Sequence, residues 1–434
     1  MSLGLRIRLS VMMFCTYVIW GAWLPLLGRY LTDFLGFSGA QLGWVFATMA
    51  IASVTAMFAS AQIADRWFSS ERFMFVSHLI GGILMFAVSR QETFLPFFVM
   101  MLFYAIFYIP TLSLANSVSF AHMPDAKRDF GGIRVWGTIG WIAASWPMFF
   151  VLRGVEGDAL KMGLRAMFYL AGGASLFLAF FSLTLPHTPP KKDAAQAFAP
   201  FKALSLLKIP AFLVLFILTL SDAGVHQCYF VWTSAFLATL EVRDEWIMPA
   251  MSIAQVAEIF TMAAMGWFLS RLGWRKMLSL GVLAHVVRFA IYSYSAGNPN
   301  MAWLVIASNV VHGAAYTFFL AVVYVFAEEF SPKDVRASAQ MLVNLVILGL
   351  GPFLSSLLWG YLGDVYKDST TGAIDYGGLF LVPAIWALVT AVVLLVTFWP
   401  PEKPANNDEG SSDSGLGEGE AQVEERLRDL GYVE

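Results

Sequence analysis

Long apolar runs alternate with short polar breaks along almost the whole chain. The runs fall at about 9–28, 40–62, 73–91, 94–120, 130–152, 163–185, 210–238, 246–270, 276–297, 300–326, 337–362 and 376–399. At about 1.5 Å rise per residue, each can cross most or all of a hydrocarbon layer about 30 Å thick as a helix. Twelve such spans predict an all-α integral membrane fold. Arg6 and Arg8 precede the first run as they would in a signal peptide, but the run continues to about Leu27 with no small-x-small cleavage site. It therefore reads as the first helix. The longest internal polar segment, HTPPKKDAAQAFAPFKALSLLK from His187, has the Pro, Lys and Ala content of a linker. This divides the chain into a six-helix bundle over 1–185, a central linker over 186–209, a second six-helix bundle over 210–399 and a tail over 400–434. The tail's Asn, Asp, Glu, Gly and Ser predict disorder.

The polar residues that interrupt the runs carry the functional information. The stretch IMPAMSIAQVAEIFTMAAMGWFL, between Trp246 and Ser270, contains Gln255 and Glu258. Three residues apart, they share one face of a helix. Glu258 lies about 18 Å along that helix, near the middle of a bilayer. A carboxylate there costs about 3 kcal/mol on insertion scales, so it faces either a cavity or a basic partner on another helix. The pattern leaves both open and favours a transport site. Asp222, about mid-way along the seventh run, poses the same question, as do Arg288, His226 and His312 inside their runs.

Composition agrees with the pattern: 58% of residues are hydrophobic and only 13% charged, about half the charged fraction of soluble domains. The net charge of -3 says little about partners, because most of the acid excess sits in the tail, and nothing points to nucleic acid. Cys15 and Cys228 both fall inside apolar spans and read as small buried hydrophobes. When loops are assigned alternately to two sides, 19 Lys and Arg fall on one side and 7 on the other, leaving Arg288 within a span. The positive-inside rule then places both termini and the linker in the cytoplasm.

The two sets of six also echo each other. AQIADRWFSSER from Ala61 stands between runs two and three, and GWFLSRLGWRK from Gly266 between runs eight and nine. MPDAKRDFGGIRV before run five is matched by SPKDVRASAQM before run eleven, each with a Pro and an Asp shortly before an Arg. Parallel six-helix repeats are the layout of major facilitator transporters. The AxxADR loop resembles the motif between helices two and three of that superfamily, although Ala61 and Phe68 stand where Gly is usual. That resemblance implies a gating role for Asp65 and Arg66; the alternative is that they are simply topology charges.

WGAWLPLLGRYL from Trp20, IPTLSLANSVSF from Ile109, RVWGTIGWI from Arg134, SIAQVAEIF from Ser252, RFAIYSY from Arg288 and VRASAQ from Val335 together resemble the bacterial nucleoside:proton symporters, a major facilitator family. The resemblance spans most of residues 10–395. It implies two pseudo-symmetric six-helix bundles and nucleoside import by proton symport through alternating access. It also implies an inner-membrane location and a monomer, whose partners are a nucleoside, protons and the lipid bilayer. The family's pocket positions fall here on Arg134, Thr138, Trp141, Gln227, Gln255, Glu258, His312 and Tyr316.

These side chains suit a nucleoside. A carboxylate, an amide and a guanidinium can hold ribose hydroxyls, and an aromatic face can hold a base. Arg134, Thr138 and Trp141 step by four and three along one helical stripe. Each has a plainer reading: a further inside charge for Arg134, self-satisfaction for Thr138, packing for Trp141 and Tyr316. Two departures stand out. Thr317 occupies the relatives' acidic position beside Tyr316, and Tyr229 and Phe230 replace an Asn. Proton coupling is therefore assigned first to Glu258 and second to Asp222, and a sugar or other polyhydroxylated solute remains the alternative cargo. No HExxH, GxSxG or Walker-type loop is found, so neither a membrane enzyme nor an ATP-driven pump is expected, and no cofactor or metal is expected.

Overall fold

The structure is a computed structural model describing residues 1–67, 69–124, 126–189, 204–332 and 335–401, with their side chains except at 57–67, 126–128 and 337. Met1–Pro400 forms a compact unit. Its membrane-length elements are helical: α1 (Leu3–Arg29), α2 (Gly39–Trp67), α3 (Ser70–Val88), α4 (Phe94–His122), α5 (Ala126–Ala143, resuming as Ser145–Leu152), α6 (Gly157–Ser182) and α7 (Pro210–Thr239).

The eighth and ninth apolar runs form one helical tract, Asp244–Ser295, of 52 residues. At about 78 Å, that is more than twice a bilayer core. It bends at Gly273, whose φ of 70° is open to glycine and strained for other residues. The break yields α8 (244–272) and α9 (274–295), so eleven apolar helical tracts account for twelve crossings among the described residues. α10 runs from Ala302 to Phe330 through a π-helical stretch at Tyr316–Ala321, and α11 from Arg336 to Val365 through another at Leu345–Leu350. α12 is Tyr376–Thr397. The helices outrun the apolar runs by several residues at many ends, because interfacial polar residues continue the helix beyond the hydrocarbon.

Among the first six helices, α3 packs on α4 and α6, and α1 on α5 and α6; among the last six, α10 and α12 pack on the α8–α9 tract, and α11 on α7. The two sets meet through α1 with α7, α2 with α11, and α5 with α8. Small residues make these approaches possible. A Cβ at Gly28 would lie 2.2 Å from the Val231 carbonyl oxygen, and one at Gly39 would lie 2.1 Å from that of Gly360. Such small-residue contacts let helix backbones touch where lipid supplies no hydrophobic drive.

Polar bonds join the same end. The Asp364 carboxylate accepts from the backbone N–H groups of Gly39 (2.7 Å) and Ala40 (2.8 Å) at the start of α2, a favourable place for an anion. Arg29 of α1 pairs with Asp244 of α8, and its backbone N–H donates to Ser234.

Candidate functional site

Where α1, α5, α7 and α8 converge lies a narrow cleft lined by Trp141, Tyr229, Phe230, Met251, Ser252 and Gln255, among others. Trp141 packs edge-on against Trp20 and Phe230, with ring centroids 5.4 and 6.2 Å away. The walls are thus mainly aromatic, with Gln255 as an amide among them.

One turn beyond these positions the lining becomes charged. Glu258 follows Gln255 along α8 and is partly buried, and its carboxylate makes no hydrogen bond among the described residues. Arg134, entering from α5, is close enough to act on it electrostatically. The Arg134 guanidinium lies over the Tyr17 ring, 4.4 Å from its centroid, a cation–π contact that leaves its N–H groups free for other acceptors. Tyr316 of α10 is within electrostatic reach of both charges. Thr138 is partly buried one turn from Arg134. Arg134, Trp141, Gln255, Glu258 and Tyr316 therefore come together on the facing sides of α5, α8 and α10.

Three of the expected pocket residues each have a polar atom engaged elsewhere. Gln227 donates its amide to the Ser356 hydroxyl of α11 at 3.1 Å. Thr317 is fully buried, its hydroxyl 2.9 Å from that of Thr261 on α8. His312 is buried behind Tyr229, ring centroids 4.7 Å apart. Asp65 and Arg66 lie in α2, and their side chains fall outside the described residues.

Behind the Tyr229 wall is a second polar group. Arg288 of α9 has no exposed surface. It bonds Nδ1 of His312 and, at 3.1 Å, Nδ1 of His285. Its guanidinium also sits 4.6 Å from the Tyr229 ring centroid. His285 Nε2 is 3.7 Å from Asp222 of α7. Arg288 thus reaches Asp222 through His285 and does not pair with Glu258. His285 is the residue missed by reading the runs one at a time. Its signal was the three-residue step to Arg288, which places both on one face of α9. Cys15 and Cys228 are both buried and free.

The sequence matches the family described as "Nucleoside H+ symporter" over residues 3–403. The chain belongs to the nucleoside H+ symporter family. It is 32% identical over 413 residues to the xanthosine permease of Escherichia coli (strain K12), covering 91% of this chain and 96% of that one. The nucleoside permease NupG of the same organism is 29% identical over the same shares. The crystal structure of nucleoside transporter NupG superposes with a TM-score of 0.80 at 29% identity, covering 91% of this chain and 99% of that one. The D-xylose-proton symporter, at 14% identity and a TM-score of 0.72, shares the fold alone. As a nucleoside H+ symporter of major facilitator fold, the protein is a multi-pass membrane transporter and not an enzyme, and its activity is proton-coupled nucleoside import.

Proposed function

We propose that the nucleoside binds between α5, α8 and α10. The ribose hydroxyls are held by Arg134, Glu258 and Gln255, and the base lies against Trp141 and Tyr316, with Thr138 at the edge. One observation carries this reading: an unbonded carboxylate at Glu258 faces an available guanidinium at Arg134, one turn from an amide in an aromatic cleft. An acceptor and a fork of donors at close range are what a vicinal diol requires. Gln227, His312 and Thr317 act from one layer back, fixing the wall through Ser356, Arg288 and Thr261.

Of the two acids named for the coupled proton, Glu258 is proposed to serve the substrate and Asp222 the proton, and Asp65 and Arg66 are proposed to gate the end at which α2 finishes. In this reading the bundles 1–185 and 210–399, joined by 186–209 and followed by the tail 400–434, rock about the cleft as a monomer in the inner membrane with both termini cytoplasmic. Uptake of labelled uridine, adenosine and xanthosine into proteoliposomes, with and without an inward proton gradient, tests the function. Accumulation that collapses with protonophore is expected. Competition by excess free hexose is expected to be absent, and its presence would move the assignment to a sugar. Glu258→Gln is expected to abolish nucleoside binding and with it all transport.

A further inference from the structure

Asp222 is fully buried, and neither of its carboxylate oxygens has a hydrogen-bond partner among the described residues. A buried charge with open lone pairs is costly unless a counter-charge compensates it. Arg288, also fully buried, supplies that charge, but the two are linked only through His285. An arginine can donate and cannot accept. Its bonds to Nδ1 of His285 and Nδ1 of His312 therefore place the proton of each neutral ring on Nε2. The His285 Nε2–H then faces Asp222 Oδ1, 3.7 Å away. With both Nδ1 lone pairs occupied by Arg288, the open acceptor sites of the set among the described residues are the Asp222 oxygens, and Nδ1 of the neighbouring His226 is also buried without a partner.

His226 lies one turn along α7 from Asp222, and its ring is 5.9 Å from Tyr316 and 5.6 Å from His285. It therefore stands between the nucleoside cleft and the Asp222 set. The groups facing the set are Asp222, His226, Cys228 and Tyr229 from α7, His285, Arg288 and Tyr292 from α9, and His312 from α10. From α11 and α12, Trp359 and Trp386 bond Gly224 and Ser221 on the same stretch of α7.

We propose that Asp222, His285 and Arg288 form the proton-coupling unit, in which Asp222 takes up the transported proton, His285 positions it and Arg288 is its counter-charge. This rests on the reading of the chain as a nucleoside symporter, and it leaves Glu258 as a substrate contact. A proton arriving from water in the cleft passes by way of His226 and adds to an Asp222 oxygen. The set changes from zero to one net positive charge, and release on the other side restores the carboxylate. The uncompensated Arg288 then bears on Tyr229, a ring of the cleft wall. Protonation and the shape of the nucleoside site are thereby linked through one side chain.

The full-length protein in proteoliposomes decides this with tritiated uridine in two assays: accumulation driven by an imposed proton gradient, and counterflow, which needs no net proton movement. Asp222→Asn is expected to lose accumulation at least tenfold while counterflow persists, and His285→Gln is expected to change in the same direction. Wild-type accumulation by Asp222→Asn overturns the assignment. So does a proportional loss of both assays in a variant that keeps the wild-type melting temperature.

Because Asp222→Asn strands the Arg288 charge and can fail to fold, the paired variant Asp222→Asn/Arg288→Gln removes both charges. It is expected to melt higher than Arg288→Gln alone and to show counterflow without accumulation. A paired variant no better folded than Arg288→Gln, or one that accumulates uridine, overturns the unit. Wild-type protein showing counterflow without gradient-driven accumulation defeats the symport reading itself.

Discussion

The third helix of each set of six carries a buried imidazole, and the two sit in opposite surroundings. His78 on α3 is 1% exposed; its Nδ1 lies 3.4 Å from the Ser175 hydroxyl and its ring beside Tyr108. Its Nε2 has no partner among the described residues. His285 on α9 is equally buried, but lies between the Arg288 guanidinium and the Asp222 carboxylate. Burial alone therefore does not make a proton site. Among hydroxyls and rings a neutral imidazole packs as a flat hydrophobe with one modest hydrogen bond. Between a buried cation and a buried anion, the same ring fixes the direction in which charge is compensated. The surroundings of the two imidazoles differ accordingly: near His78, Tyr104 and Tyr108 bond Trp23 and the Thr16 carbonyl of α1, whereas His285 lies between full charges.

The largest effect should come from stranding one of those charges. Arg288→Gln leaves Asp222 without a counter-charge and is expected to cost about 3–5 kcal/mol. Thermal unfolding in detergent measures this, and adding Asp222→Asn should recover part of the loss. A cost below about 1 kcal/mol would mean the two charges do not sense each other. Exchanging the imidazoles sharpens the contrast. His285→Leu removes a bond to a charged group and should cost about 1.5–3 kcal/mol. His78→Leu removes one long neutral bond and an unpartnered nitrogen, and should stay within about 1 kcal/mol with normal uptake. Equal costs for the two would erase the distinction.

Much of this was legible in the chain. Twelve apolar runs gave the crossings, and Gln255 with Glu258 marked α8 because their spacing puts an amide and an acid on one face. Asp222, His226 and Tyr229 also fall on one stripe of α7 by spacing alone. What could not be read is which stripe faces which, since helix rotation is set by packing across the bundle. That is why Arg288 had several conceivable partners and why His285, flanked by Leu, Ala and Val, gave no signal of its own. Thr317 illustrates a second cause. It was sought in the pocket because it occupies the relatives' acidic position, and the π-helical stretch at Tyr316–Ala321 departs from the 3.6-residue period, so its neighbours could not be read from helical spacing.

The contacts joining the two sets offer a smaller and reversible perturbation. Arg29 and Asp244 tie α1 to α8, with side chains 10% and 20% exposed. Because Asp244 keeps some contact with solvent, breaking this pair by Asp244→Asn should weaken that end by about 1 kcal/mol, the upper end for partly exposed pairs and a roughly fivefold shift toward the state in which it opens. Distances between spin labels placed on α1 and α8 at this end would report the shift. An unchanged distribution would mean the small-residue contacts at Gly28 and Gly39, with the Asp364 bonds, hold the end shut without this pair.

The smallest effect separates pocket from scaffold at Thr317. Its hydroxyl meets that of Thr261, which also bonds the Gly313 carbonyl at 2.9 Å. A Cβ at Gly313 would come within 2.5 Å of the Ala257 backbone, so α8 and α10 cross here almost backbone to backbone. Thr317→Val keeps the shape of the side chain and removes the hydroxyl, but leaves Thr261 its carbonyl acceptors. The expected cost is therefore at the low end for a buried hydrogen bond, about 0.5–1 kcal/mol. The KM for uridine should stay within about twofold, because no nucleoside hydroxyl depends on this side chain. A tenfold rise in KM with unchanged stability would place Thr317 in contact with substrate and show that α10 turns toward the cleft when a nucleoside binds. Loss of stability with unchanged KM would mark Thr317 as part of the α8–α10 crossing that holds Glu258 opposite Arg134.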